Sequence, residues 1–470
     1  MKNLKLISLY ATLLIYYFFF WEEKLGLNLF IFNAIIIGLV YQNLPKKPKS
    51  YFVLAMPFIS SLSVLLINTS FNKTVNLLTL AIFIGYIHLP NINSSFAGIA
   101  VFIQNLFKSL VNFLKPFKII IDQIGSKNQL LYTIIKYLKI SVLPLIIFFI
   151  FSLIFNFANP IFEEKTSYLF DKILNIIKNF PNFSLSRFIF LIFGYWVLLS
   201  IFYDKAISKT LNIFTQKNEQ IENTFEEIKN EKFTSAVFTF SLINLLLFYI
   251  NSIDIQYLWM NYANSSAPAM SKLVHSGTYL LIFSILLSVT ILIFYFKGEL
   301  NFHKKSKSLK VLSLLWIFQN CILLLSVFIR NAKYVEMYGL TYKRIGVVIF
   351  LLLTFSGLIS LTFKILKTYN FGFILRTNSW SYVLIFIILG FVNFDYEIAK
   401  YNLKHENKDI EYIENLSIRA LPALMENHPE YSPNYFNKFD SFEKQNEKYT
   451  WLSWNLQDYK LTQKLKSQIK

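Results

Sequence analysis

Residues 330–344, RNAKYVEMYGLTYKR, separate two apolar runs, 312–329 (LSLLWIFQNCILLLSVFI) and 345–363 (IGVVIFLLLTFSGLISLTF). Each run holds the ~17–25 mainly apolar residues that cross a hydrocarbon core as one α-helix. Such pairs predict a bundle of membrane helices. The stretch between them crowds Arg330, Lys333, Glu336, Lys343 and Arg344 against Tyr334, Tyr338 and Tyr342 beside a membrane boundary. Ionisable groups at that depth persist only when paired or turned to water. Glu336 is placed to pair with Arg330 or Lys333, and guanidiniums can hold phosphate or carboxylate through forked hydrogen bonds. The bland alternative is an interfacial loop with a tyrosine belt.

Composition extends this to the whole chain: 55% of residues are hydrophobic, 16% are charged and the mean hydropathy is +0.46. A soluble globule of 470 residues with that make-up would expose large apolar patches. A formal charge of +19 could mark a nucleic-acid binder, but the lysines sit in short loops beside apolar runs, so no nucleic-acid partner is expected. The single cysteine, Cys321, lies inside an apolar run, which leaves no disulfide framework and no cysteine-based metal site. Phosphate-cradling glycine loops, HExxH, CxxC and the nucleophile elbow are absent from the sequence. His88, His275, His303, His405 and His428 are dispersed, so no metal and no cofactor is expected. His275, at the start of a span, and Tyr338 are retained as candidate polar site residues.

In chain order, further spans are expected at about 6–21, 25–41, 51–68, 74–89, 140–157, 188–203, 233–250, 277–296 and 380–394, which makes about eleven in all, with ten to twelve as the range. The first is followed by Glu22-Glu23-Lys24 rather than a small-residue cleavage site and reads as a retained span. Residues 99–114 differ: Ile99, Phe102, Ile103, Leu106, Phe107, Leu110, Val111 and Leu114 repeat at helical spacing, with Gln104, Asn105, Lys108, Ser109 and Lys115 opposite. That pattern predicts an amphipathic helix on the membrane surface. A second amphipathic stretch covers 161–180, and the carboxylates of 219–231 read as a hydrated connector.

Beyond Phe394 the chain turns polar, with 11 basic and 12 acidic residues that nearly balance. Apolar residues recur among them, predicting a small helical extramembrane domain over 395–470 after a bundle over 1–394. Placing the N-terminus in the cytoplasm puts roughly two-thirds of the earlier lysines and arginines on that side. Eleven spans then carry the C-terminal domain outside the cytoplasm. The fold class expected is all-α.

Several pieces also carry a resemblance. Gln256-Tyr257-Leu258, Pro268 and residues 271–281 resemble the opening of a span in bacterial membrane proteins known as domains of unknown function 4153 and 4173, the closer likeness being to 4173. Tyr338-Gly339-Leu340-Thr341 with Arg344 resembles their most recognisable motif. Ala158-Asn159-Pro160, Val392-Asn393-Phe394-Asp395, Ile398-Ala399, Tyr401-Asn402, Leu416-Ser417, Leu421-Pro422 and Trp454-Asn455-Leu456 follow in the same order. Ser276 and Thr278 depart from the pattern, where a basic and an aromatic residue are usual. The resemblance implies a fold and a location in the bacterial cell (inner) membrane; the families are functionally uncharacterised, so it carries over no catalytic residues.

Two function classes follow. The first is a non-enzymatic envelope protein, sensory, scaffolding or transport-related, embedded in the lipid bilayer and meeting envelope proteins through its C-terminal domain. The second is an enzyme or carrier for an anionic lipid-linked substrate at the outer leaflet, with Arg330 and Arg344 as phosphate clamps and Glu336 or Asp395 as base. A bundle interior poor in acids leans away from an enzyme. Arg330, Glu336, Arg344 and Asp395 are expected to form one charge network; its closing as ion pairs favours the first class, its opening onto a pocket the second. Oligomeric state is not legible.

Overall fold

The structure, a computed structural model, describes residues 2–42, 44–113, 115–116, 133, 184–202, 220–221, 230–260, 267–296, 298–404, 409–427 and 432–469. Within them every long apolar run is a helix: α1 (Lys2–Phe20), α2 (Leu27–Tyr41), α3 (Pro48–Leu66), α4 (Ser70–His88), α5 (Ser95–Val111), α6 (Leu185–Phe202), α7 (Asn230–Ile253), α8 (Ala267–Tyr295), α9 (Ser306–Tyr338), α10 (Tyr342–Lys367) and α11 (Phe371–Leu389). The tail adds α12 (Phe394–Asn402), α13 (Ile410–Glu414), α14 (Leu421–Asn427), α15 (Ser432–Asn446) and α16 (Leu456–Ile469). No strand occurs among the described residues; Gln220 and Tyr369 form an isolated bridge. The fold is all-α. The expected span at 140–157 and the amphipathic stretch at 161–180 lie outside the described residues.

Local sequence sets the helix starts. Pro48 opens α3, where a missing N–H costs nothing. The side chains of Thr69, Ser94, Asn370 and Asn393 each accept a bond from the backbone N–H three residues on, capping α4, α5, α11 and α12. At the other end of α8, Lys364 of α10, 1% exposed, donates to the Phe296 carbonyl at 2.6 Å, a cation on the unsatisfied end of a helix.

Packing divides the bundle into two cores. Leu9, Ile36, Val53, Phe83 and Tyr195 belong to one, formed by α1 to α6; Phe240, Ile285, Trp316, Leu358 and Ile374 belong to the other, formed by α7 to α11. Helix α11 joins them, since Ile387 packs with Met56 and Val75 of α3 and α4. Polar rungs align α7 with α9: Asn244 donates to the Leu312 carbonyl (3.0 Å), Gln319 to Asn244 Oδ1 (2.7 Å) and Asn251 to the Gln319 carbonyl (3.1 Å). Both asparagine-to-carbonyl rungs join residues 68 apart, so the two helices run parallel in constant register. In a medium without water such side-chain bonds hold helices together.

The outer surface is apolar. Ile7, Leu14 and Phe18 of α1, Phe238, Leu242, Leu245 and Phe248 of α7, and Phe283 and Phe294 of α8 are each more than half exposed. Among the described residues seven helices, α3, α4, α6, α9, α10 and α11 among them, are long and apolar enough to cross a membrane. Lys5–Phe20, Leu27–Tyr41, Ser95–Val111 and Leu281–Tyr295 are shorter apolar helices. The 15 residues of α2 rise only about 22 Å at 1.5 Å per residue, less than a full hydrocarbon core.

Helix α5 is placed differently from the surface helix expected over 99–114. Asn105 and Ser109, assigned to the water-facing side, are fully buried against the bundle, while Ile103, Phe107, Leu110 and Val111 are 45–86% exposed. Trp196 of α6 donates to the Leu106 carbonyl at 2.9 Å. The amphipathic pattern is there, but the polar stripe faces protein. A hydrophobic pattern gives the two sides of a helix without saying which side meets lipid and which meets a neighbour.

Candidate functional site: the junction between the bundle and the tail

The motif at 330–344 is the end of α9 and the start of α10. Helix α9 runs 33 residues without a break to Tyr338, so Arg330 lies about two turns inside its end. Its guanidinium bonds Asp254, the first residue of a π-helical turn (Asp254–Met260) that ends α7; the two side chains are 11% and 6% exposed. Glu336, six residues on, points about 120° away around the same helix and pairs at 3.1 Å with Lys333, the two side chains 62% and 33% exposed. The Arg344 guanidinium lies 4.4 Å over the Tyr334 ring and donates to the carbonyls of Tyr338 (2.8 Å) and Gly339. Asp395 is 7% exposed and accepts from the Tyr342 hydroxyl at 2.7 Å and from the Ser417 hydroxyl.

The expected network of Arg330, Glu336, Arg344 and Asp395 is therefore divided. None of the four bonds another; each has its own partner. Helical phase is the reason, because an unbroken α9 points Arg330 at α7 and Glu336 at the surface. Tyr338 is 45% exposed and lies against Tyr334, ring centroids 4.7 Å apart. His275 lies in α8, among residues whose side chains are not described. The acid that sequence reasoning missed is Asp254. Its signal was available, since a single carboxylate at the end of a long apolar run needs a cationic partner.

Around the motif the tail grips the bundle. Asn402 of α12 accepts from the Leu340 N–H (2.5 Å) and donates to the Leu340 carbonyl (2.8 Å), while the Tyr342 N–H donates to the Tyr412 hydroxyl at 3.1 Å. Gly339 ends α9 at φ 79° and ψ 177°, a backbone region open only to glycine. A Cβ there would lie 2.7 Å from Asn402 Oδ1. Leu340 and Ile345 pack on the tail core of Ile398, Leu403, Ile413, Leu421, Leu424, Phe439 and Leu461.

A second grip holds the turn between α1 and α2. The Leu27 N–H donates to the Trp454 carbonyl at 2.8 Å and the Lys24 N–H to the Ser453 hydroxyl at 2.8 Å. Glu23 accepts from the Ser453 hydroxyl (2.5 Å) and the Thr450 N–H (3.2 Å). Arg419 reaches a third turn, donating through Nε to the Ile67 carbonyl at 2.9 Å and through Nη2 to Asp458 at 3.3 Å. The tail thus covers the turns α1–α2, α3–α4 and α9–α10, all at one end of the bundle, opposite the start of α1. At Gly26 backbone meets backbone, and an added Cβ would stand 2.6 Å from both the Ser453 and the Trp454 carbonyl oxygens. Gly26→Ala is expected to loosen this grip, seen as faster tryptic removal of the tail at unchanged helix content by circular dichroism.

No group of three His, Cys, Asp or Glu among the described residues is placed to hold a metal ion. A cavity of about 240 Å³, lined by Tyr41, Lys46, Ser50 and Tyr51, lies at the far end of α2 and α3. Seven membrane-length apolar helices in an all-α bundle define a membrane protein. The chain belongs to the family described as Domain of unknown function (DUF4153), whose model matches residues 9–427. No curated protein and no solved structure matches it. The family is the first of the two that its motifs resemble, and several of those motifs, Gly339-Leu340, Asp395, Asn402, Ser417 and Trp454, meet at this junction.

Proposed function

We propose that this chain is a multi-pass protein of the bacterial cell (inner) membrane, divided into a bundle over 1–394 and a helical domain over 395–470. Its N-terminus lies in the cytoplasm and its C-terminal domain outside it. It acts without catalysis, as an envelope protein of the sensory, scaffolding or transport-related kind, and the tail is the part that meets envelope proteins. The observation that supports this best is the commitment of the junction's ionisable groups to protein partners: Arg330 to Asp254, Arg344 to two carbonyls, Asp395 to two hydroxyls. A catalytic or carrier site needs such groups open to a substrate. The alternative, with Arg330 and Arg344 as phosphate clamps for a lipid-linked substrate, loses its two clamps to these bonds.

The lysine asymmetry supports the orientation, and thiol labelling tests it. In a Cys321→Ser background, Gln445→Cys in the tail is expected to react with a membrane-impermeant maleimide in spheroplasts, and Ser308→Cys at the start of α9 to react only after lysis. The reverse pattern would overturn the orientation. Deletion followed by lipid and envelope profiling tests the role: altered partner recovery or envelope assembly at constant lipid chemistry is expected. Accumulation of an unprocessed lipid would overturn the non-enzymatic assignment.

A further inference from the structure

Three basic residues remote in sequence lie on neighbouring turns where the tail covers the bundle. Lys24 belongs to the α1–α2 turn, Lys73 to the first turn of α4 and Arg419 to a short 3-10 turn of the tail (Ile418–Ala420). Two bonds draw their segments together: Asn68 Nδ2 donates to the Leu25 carbonyl at 2.8 Å, and Arg419 Nε to the Ile67 carbonyl at 2.9 Å. Lys24 and Arg419 both act electrostatically on Lys73, and the carboxylate acting on the same group is Asp458. Glu23, the neighbouring acid, is turned away to Thr450 and Ser453. Asp458 pairs with Arg419 at 3.3 Å, which leaves Lys24 and Lys73 without a salt bridge of their own among the described residues, both partly buried.

As a device for docking the tail this is poor design, because like charges repel across a medium less polar than water. Burial also pushes the Lys24 ammonium below the usual lysine range. Holding charge at such a place costs free energy unless an anion offsets it. Lys24 Nζ touches Asn446 Oδ1 at 3.0 Å and stands 4.6 Å from the Tyr449 ring centre, so one wall of the cluster is aromatic. Trp21 follows the last residue of α1, and Trp451 and Trp454 of the tail are 62% and 40% exposed. Aromatic residues at the ends of apolar helices mark the level of lipid headgroups.

We propose that Lys24, Lys73 and Arg419 form a binding site for the phosphate of an anionic phospholipid, in the leaflet that borders the tail. The proposal rests on the membrane reading of the fold and adds a ligand class to it. Arg419 keeps Nη1 and Lys24 keeps two N–H groups beyond the protein bonds named above, and with Lys73 these donors, on three segments, suit a tetrahedral anion. The bound phosphate ties α1, α4 and the tail to one another, so a lipid becomes part of what fixes the tail.

The full-length protein in nanodiscs of phosphatidylcholine, with and without phosphatidylglycerol, tests this by thermal unfolding and by native mass spectrometry of retained lipid. Phosphatidylglycerol is expected to raise the unfolding temperature and to be retained. Lys24→Gln combined with Lys73→Gln should weaken that response roughly tenfold or more, the size expected for one or more charge-assisted bonds. Lys73→Arg should keep the response, and so should Lys46→Gln with Lys47→Gln at the other end of the bundle. If the double variant does not fold, Lys73→Gln alone carries the comparison. Inorganic phosphate giving the same stabilisation in phosphatidylcholine discs would make the site one for free anions and overturn the lipid assignment. A wild type indifferent to phosphatidylglycerol, or a response that survives in the Gln variants, would overturn the site. Reversed thiol labelling would overturn only the orientation, because nanodiscs offer the lipid on both faces.

Discussion

Asp254→Ala is expected to be among the most damaging single substitutions in this chain, and Glu336→Gln among the mildest. The Arg330–Asp254 pair is buried, with both side chains close to one-tenth exposed or less. Removing the carboxylate leaves a guanidinium in an apolar seam, which costs about 3–5 kcal/mol for a buried pair broken from one side. Glu336 and Lys333 stand in the open, where an ion pair contributes about 0–1 kcal/mol. Thermal unfolding in detergent should separate the two variants clearly. The sign of the pair's own contribution is a separate matter. Replacing both partners with apolar residues, Asp254→Leu with Arg330→Met, should recover most of the loss, because two desolvated charges disappear together. A double variant as unstable as Asp254→Ala would show that the pair, or a group it binds, has a role beyond mutual neutralisation. A Glu336→Gln variant as damaged as Asp254→Ala would restore Glu336 as the partner of Arg330.

Much of the bundle is legible in the sequence because apolar run length is a direct consequence of bilayer thickness. Ten of the eleven expected spans overlap helices, though only seven helices among the described residues are long and apolar enough to cross a membrane, and the remaining expected span, 140–157, lies outside those residues. What escaped was phase. Whether residues 330–338 continue a helix or form a loop decides which way Arg330 and Glu336 point, and apolar composition does not register it. Helix α5 escaped for the same reason: its polar stripe was plain, its neighbour was not. The tail's docking depends on contacts such as Asn402 with Leu340 and Ser453 with Lys24, 62 and 429 residues apart, made largely to backbone groups that carry no sequence signature. The motif resemblance was the one indication that these pieces belong together.

Gly339→Ala is expected to free the tail from the bundle while leaving the spans intact. The native backbone at this position, φ 79° and ψ 177°, costs any residue with a Cβ about 1–3 kcal/mol. The methyl group would also sit 2.7 Å from Asn402 Oδ1, so either the α9–α10 turn or Asn402 must move. Movement of either breaks the paired bonds between Asn402 and Leu340 and draws Leu340 off the tail core. Each lost bond leaves a half-buried donor or acceptor unsatisfied, adding about 1–3 kcal/mol. Asn402→Ala removes the same bonds without backbone strain and should give a smaller effect in the same direction. Limited proteolysis is the discriminating measurement, with cleavage near 403–409 faster in the order Gly339→Ala, Asn402→Ala, wild type. The Arg330–Asp254 seam lies about two turns deeper and should stay closed, so near-ultraviolet circular dichroism from Trp316 and its neighbours should not change. A Gly339→Ala protein that holds its tail as firmly as the wild type would mean that the α1–α2 and α3–α4 grips suffice by themselves, and that the most recognisable motif of this family serves something other than the junction.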